Sequence, residues 1–266
     1  MRSAKEKIKS IPGKFILERE LSLSSISNIY LGVLNDVQAV IRLDLSAASR
    51  LAIDRQHEVN ILKDISHLDL APKVLYSDIS AGILIWEYIP EAQPPFAGKK
   101  FNSDTLYQLG SFLYSLHSHP IPQNSVDIFS NSMALYQSLL DGSSEKILFN
   151  KALDLYKELL LDGLNKVLSH NDLHQGNLLW NQKYYFLDWE YAGVNHPCFD
   201  IASMVKSLQL NQSQIDEMLL GYKFGTRLFH RDKLHQWIEF IDYLEEIWEI
   251  SLAKILKNKN IRNTKD

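Results

Sequence analysis

The chain has 266 residues, 45% of them hydrophobic and 23% charged, with a formal net charge of −4. This is a globular composition, long enough for one large domain or two small packed units. It lacks the positive excess that nucleic-acid binding needs, and its one cysteine, Cys198, allows neither an intrachain disulfide nor a cysteine metal cluster.

Residues 1–15 are lysine-rich without an apolar segment, so no secretory signal is expected, and no apolar run is long enough to span a bilayer. The expectation is a cytoplasmic protein with neither membrane nor nucleic acid as partner. The negative balance suits a cationic substrate.

Residues 14–20, 28–34 and 37–43 are runs rich in Ile, Leu and Val that predict strands, with a hairpin turn at Asn35-Asp36. Leu51, Val59, Leu62 and Ile65 recur at near-helical spacing and predict a helix over 49–68. Two more strands are predicted over 73–77 and 82–87, joined through Ser80-Ala81-Gly82. Pro90, Pro94, Pro95 and Gly98 then break regular structure and mark a linker.

Beyond the linker the period is helical. Leu106, Leu109, Leu113 and Leu116 form one apolar stripe, with Asn102 or Ser103 as cap. A second helix is predicted over 144–161, stopped at Gly163. The period disappears between 167 and 188, where 178–180 and 184–187 predict a hairpin. From Phe199 the chain is helical again to about Lys257, with a frayed tail that carries Lys259, Arg262 and Lys265. The outline is an N-terminal sheet-plus-helix lobe, 1–90, and a larger helical lobe, 91–266, with a cleft between them as the natural ligand site.

The irregular stretch reads His170-Asn171-Asp172-Leu173-His174-Gln175-Gly176-Asn177, then Leu187-Asp188-Trp189-Glu190-Tyr191. Phosphoryl transfer from ATP to an alcohol needs a carboxylate that orients the acceptor hydroxyl and takes its proton. It also needs hard oxygen ligands that hold magnesium against the phosphates. Asp172, Asn177 and Asp188 supply such groups, and Gly176 would let the loop turn sharply. Taken singly, each is as readily a hydrogen-bonded loop residue. His170 and His174 have the i, i+4 spacing of some zinc sites, but the glutamate that would activate water is missing.

The pattern H-x-D-x-x-x-x-N followed by an aspartate resembles the catalytic and metal-binding loops of kinases. More narrowly, the run from His170 to Ala202, with Asn195, Pro197 and Phe199-Asp200-Ile201-Ala202, resembles the choline kinase, thiamine kinase and aminoglycoside phosphotransferase superfamily. It is nearest to the choline and thiamine kinase branches.

The resemblance implies an α+β, protein-kinase-like fold of two lobes. It implies an enzyme that uses ATP and Mg2+ on a small-molecule alcohol, a cationic one of the choline or thiamine type. Asp172 would be catalytic, Asn177 and Asp188 metal ligands, and His170 a structural support. Arg42 would contact ATP phosphates and Glu58 would pair with it. Glu87, Tyr88 and Ile89, just after Trp86, would meet the adenine, mainly through backbone groups. Ser24, Ser25 and Asn28 would lie in the phosphate-covering turn. The family's turn is usually glycine-bearing, whereas 21–30 here carries serines, whose hydroxyls could stand in for approaching backbone amides.

Trp189, Glu190, Tyr191 and Trp248 are the acceptor candidates with Asp172, since aromatic faces near carboxylates hold a cation. Trp237, Ile241, Leu244 and Trp248 form a stripe that would equally face a core, and Asp242, Glu245, Glu246 and Glu249 a face that would equally be solvated. Two other functions fit the wording: an aminoglycoside-type antibiotic kinase, and a catalytically silent kinase-fold binding module. His57, His67, His117, His119, His196, His230 and His235 read as surface or boundary histidines, and Cys198 as packing.

Overall fold

The computed structural model describes residues 4–51, 53–92, 102–123, 125, 127–223 and 231–263. A short helix, α1 (Ala4–Lys9), precedes three strands, β1 (Phe15–Leu23), β2 (Ser27–Leu34) and β3 (Val37–Asp44). Helix α2 (Arg55–Asp64) then leads into β4 (Val74–Asp78) and β5 (Ile83–Glu87). These five strands make one antiparallel sheet in the order β1-β2-β3-β5-β4.

Asn35 and Asp36 have φ of 48° and 69°, the left-handed pair of a tight hairpin that Asn and Asp adopt most cheaply among residues with a side chain. They set Leu34 opposite Val37 and so fix the β2–β3 register. β3 lies inside the sheet, and Ala39 through Leu43 are all buried, Arg42 among them. β1 is an edge strand and mostly exposed, with Ile16, Leu17, Leu21 and Leu23 each at 40% or more. Its register slips between Leu17 and Arg19 and again between Glu20 and Ser22.

The helix predicted over 49–68 is divided. A 3-10 turn covers Ala48–Arg50, and α2 starts only after Asp54, whose side chain accepts from His57 N at 3.0 Å. Val59 and Leu62 of α2 pack into the large core of the helical region. The sheet keeps a smaller core of its own, built on Ile41, Leu43, Ile83 and Ile85. The helix thus sits in the sheet region by sequence and in the helical region by packing.

The helical region contains α3 (Ser103–His117), α4 (Ile128–Leu139), α5 (Ser143–Leu159), β6 (Val167–Ser169), β7 (Leu178–Asn181), β8 (Lys183–Phe186), β9 (Gly193–Asn195), α6 (Pro197–Ser207), α7 (Gln212–Gly221) and α8 (Arg231–Asn263). Asn102 caps α3 by accepting from Thr105 N at 2.8 Å, and the four leucines of its stripe are buried. α3 crosses α7 so closely that a Cβ on Gly110 would lie 1.9 Å from Met218 O, and one on Gly221 1.9 Å from Tyr107 O. α5 runs into a 3-10 turn that ends at Gly163, φ 77°. β7 and β8 form the predicted hairpin, while β6 pairs with β9 in a second small sheet.

Helix α4 and the short strands β6 and β9 were not expected. Pro94, Pro95, Gly98, His230 and Lys265 lie outside the described residues. Among the described residues no helix is long and apolar enough to cross a membrane.

Candidate active site

β6 delivers His170 to the floor of a cleft, and hydrogen bonds fix the loop beyond it. Asp200, near the start of α6, accepts from the backbone N–H groups of His170 (2.8 Å) and Asn171 (2.9 Å) and lies 3.1 Å from His117 Nε2. Burial alone would raise the Asp200 carboxyl. The hydrogen bond and charge of His117, with help from His170, hold it below the usual carboxylate range. His117 Nδ1 meets the Tyr222 hydroxyl at 2.7 Å.

His170 is fully buried, and its Nε2–H donates to Leu187 O at 2.9 Å. Burial holds its imidazole down at about 4, so it is a neutral prop packed on Trp189, 4.6 Å between ring centroids. Asn171 takes a left-handed φ of 64°; its side chain donates to Tyr191 O and accepts from Asn195 Nδ2.

Asp172 is next along the loop. Asn177 Nδ2 donates both to Asp172 Oδ2 (2.8 Å) and to Asp172 O (2.9 Å), which turns Asn177 Oδ1 away from Asp172. Gly176 does not provide the sharp turn expected of it. The left-handed positions are Asn171 and Asp188, φ 60°, and Gly176 provides room, since a Cβ there would come within 2.8 Å of the His174 ring. Burial raises the carboxyls of both Asp172 and Asp188, and Asp172 is pushed further by the nearby charges of Asp188 and Glu190. Their side chains remain 35% and 40% exposed, and Asp188 lines the cleft.

Arg42 descends from β3 on the opposite wall. Its Nη1 and Nη2 reach Glu58 Oε1 (2.8 Å) and Oε2 (2.5 Å), and Nη1 lies 3.4 Å from Asp188 Oδ1. Burial works against both ions. Even so, Glu58 stays below its usual range through Arg42 and Arg55, and Arg42 stays above its own through Glu58 and Asp44. Between the walls lies a cavity of about 320 Å³, lined by Ile29, Arg42, Val74, Leu84, Asn177 and Asp188 among others. A larger groove, about 840 Å³, runs past Lys7, Ser49 and Gly82 at the sheet's far end. The smaller cavity joins the Arg42 guanidinium to the Asn177 amide and the Asp188 carboxylate.

Ser24 Oγ accepts from the N–H groups of Ile26 and Ser27, so this hydroxyl and these two amides satisfy each other in the β1–β2 turn. Ser25 is exposed and Asn28 half-buried beside it. Glu87 turns its carboxylate to Lys73 N (2.9 Å), and the Tyr88 N–H already donates to Gln38 O (3.1 Å). Ile89 is buried next to them.

Trp189 is a core residue, 2% exposed, and donates to Phe186 O. Glu190 is also buried, with Oε2 taken by Arg55 Nη1 at 2.6 Å; burial and then Asp188 push its carboxyl up to about 7. Tyr191 and Trp248 meet each other, both half-buried. The stripe on α8 is core at Trp237 and Ile241, and Asp242 and Glu245 are exposed and paired with Lys206.

The surface reading of the histidines fails for three of them. His57, His117 and His196 are buried, bonded respectively to Ala192 O, to Tyr222 and Asp200, and to Asp162. Cys198 is buried, and burial pushes its thiol up to about 12, so it is packing. Arg55, Asp44 and Tyr136 were not among the residues singled out from the sequence, and Asp200 had no role there. Arg55 sits three residues before Glu58, and Asp44 lies two after Arg42 on the same strand face; both spacings were signals. Tyr136 on α4 is buried, and burial with the Asp172 charge holds its phenol proton on.

Among the described residues no three His, Cys, Asp or Glu side chains form a metal cage. Asp188 and Asn177 Oδ1 nevertheless fit a hard cation that takes its other ligands from phosphates and water, as magnesium does. The Asp188 charge, which helps to raise both Asp172 and Glu190, would be offset by a cation held beside it.

The profile of the phosphotransferase enzyme family matches residues 22–237. Protein LicA of Haemophilus influenzae is 26% identical over 231 residues, which cover 82% of this chain and 67% of LicA. The crystal structure of choline kinase LicA from Streptococcus pneumoniae superposes with a TM-score of 0.75 at 22% identity, covering 94% of this chain and 89% of that one. A LicA structure in complex with AMP gives 0.73 at 22% identity with the same coverage.

Proposed function

This chain belongs to the phosphotransferase enzyme family, and on that premise we propose that it is an ATP-dependent kinase for the hydroxyl of a small cationic alcohol of the choline type. The observation that carries the proposal is the Asn177–Asp172 hydrogen bond, whose donor Asn177 lines one cleft with Asp188 and the Arg42–Glu58 pair.

Asp172 orients the acceptor hydroxyl and takes its proton; a carboxyl raised from its ordinary value is the better base. Arg42, held rigid by Glu58, turns a guanidinium N–H to the phosphates and gives up its 3.4 Å contact with Asp188. Asp188 and Asn177 Oδ1 would hold magnesium, which would neutralise charge on the transferring phosphate. The adenine enters between Ile29, Leu84 and Val74, against the backbone after Trp86. Tyr191, Trp248 and Tyr136 give the acceptor side aromatic faces, and Asp172 gives it the negative charge that a cation needs. We place the two lobes at 1–90 and 91–266, and the protein in the cytoplasm.

A second reading, nucleotide binding without turnover, has one observation in its favour: Ser24 occupies the turn amides that would otherwise face phosphate. The test for both is release of ADP by the purified protein with magnesium and ATP, offered choline, ethanolamine, thiamine, a sugar amine or kanamycin in turn. Choline-type alcohols should give the highest rate. A preference for kanamycin, or no acceptor-dependent release at all, overturns the proposal.

A further inference from the structure

Asp44, at the end of β3, and Glu58, on α2, each lie within ion-pair distance of two arginines. Arg42 Nε lies 3.3 Å from Asp44 Oδ1, and its other two nitrogens donate to Glu58. Arg55, at the first position of α2, donates Nε to Asp44 Oδ2 and Nη1 to Glu58, each at 3.0 Å, and its Nη2 lies 3.0 Å from Asp44 Oδ1. The four side chains close a ring in which every charge touches two of opposite sign. From this ring each arginine reaches one carboxylate of the helical region: Arg42 reaches Asp188 at 3.4 Å, and Arg55 reaches Glu190 at 2.6 Å.

The two outward contacts are unequal. Arg42–Asp188 is long, and Asp188 is 40% exposed. Arg55–Glu190 is short, with side chains 10% and 9% exposed, where water and salt screen least. The first is built to be exchanged and the second to persist.

We propose that Arg55 is a positioning residue for phosphoryl transfer. Its bond to Glu190 pins the Asp188 turn against α2, so that Arg42 can leave Asp188 for a phosphate without the two walls of the cleft losing register. The inference rests on the kinase reading of this site. A second bond from α2 acts on the same turn, His57 Nε2 to Ala192 O at 3.0 Å. From the other side His170 holds Leu187 O. Between these anchors Asp188 sits in the left-handed region at φ 60°. α2 is itself anchored, because Val59 and Leu62 belong to the core of the helical region.

The test uses Glu190→Ala, which removes the tether's acceptor and leaves the four-membered ring whole, beside Arg55→Ala and the double variant. Misplacing a metal-binding carboxylate by about an ångström costs on the order of 10²-fold in rate. Glu190→Ala should therefore lower kcat by about 10- to 100-fold and move the KM for ATP by less than about 3-fold. The double variant should be no slower than Arg55→Ala. Hydrogen exchange of the backbone amides over 187–193 should quicken in Glu190→Ala at an unchanged rate elsewhere. A kcat within twofold of the parent, or unchanged exchange over 187–193, overturns the proposal. A parent without acceptor-dependent turnover refutes the kinase reading instead, and the exchange measurement then decides the tether alone.

Discussion

The indole N–H of Trp248 donates to the hydroxyl of Tyr191 over 3.1 Å, joining the last helix to the segment just past Asp188. Loss of an aromatic face beside a cation costs roughly 0.5–2 kcal/mol, more where water is excluded. Trp248→Ala should therefore raise the KM for a choline-type acceptor by about 2- to 30-fold and leave the KM for ATP near its parental value. Equal loss for both substrates would mark Trp248 as packing only.

Asp172→Ala should leave the fold intact and lower turnover by about 10²–10⁴, the worth of a positioned base. Asp172→Asn should do the same to turnover while melting no lower than the parent, because it relieves the crowding with Asp188 and Glu190. Turnover within a few-fold of the parent removes Asp172 from the mechanism.

Asp188→Ala should abolish the magnesium dependence of ATP binding. Asn177→Ala should weaken it less, since an amide brings no net charge, yet it should also lower kcat because Asn177 orients Asp172. Titration of magnesium-ATP against each variant separates the two effects.

Arg42→Ala should raise the KM for ATP far more than that for the alcohol. It should also destabilise the fold by about 3–5 kcal/mol, the usual cost of breaking a buried ion pair, because Glu58 loses its bidentate partner. Arg42→Lys keeps the charge and loses the fork, so it should keep most of the stability and still bind ATP poorly. A normal KM for ATP in the lysine variant would leave Arg42 a purely structural role.

Asp200 carries the pH prediction. Its carboxyl lies below the ordinary value in the folded chain, so its contribution is full above the unfolded pKa and is lost as pH falls through the folded one. Asp200→Asn should cost about 1–3 kcal/mol near neutral pH. The gap in melting temperature between parent and variant should close as pH drops below about 4. A gap that stays constant down to acid unfolding would show that the charge of Asp200 does not matter.

Elements encoded by neighbours along the chain were legible. The Asn35-Asp36 turn, the leucine stripe of α3 and the β7–β8 hairpin each depend on local patterns, and His170 to Asp188 is itself a local run. What was hidden depends on packing between distant segments. Arg55 and Glu190 are 135 positions apart, and neither neighbourhood announces the other. His117 was taken for a boundary residue although Leu113 and Leu116 beside it are fully buried; its partner Asp200 lies 83 positions on. Glu190 was assigned to the acceptor because Trp189 and Tyr191 flank it just past Asp188, but neighbouring residues in this turn face different ways, and its Oε2 faces Arg55.

The edge strand β1 has a consequence for how the protein behaves at high concentration. A straight nine-residue edge with Ile16, Leu17, Leu21 and Leu23 in water is a template onto which another chain's strand can add. The register slips at Glu18 and Leu21 kink that edge. The safeguard against fibre-like stacking is therefore geometric. Deleting Glu18 would remove one of the two kinks, and light scattering should then show growth of large particles at concentrations where the parent stays clear.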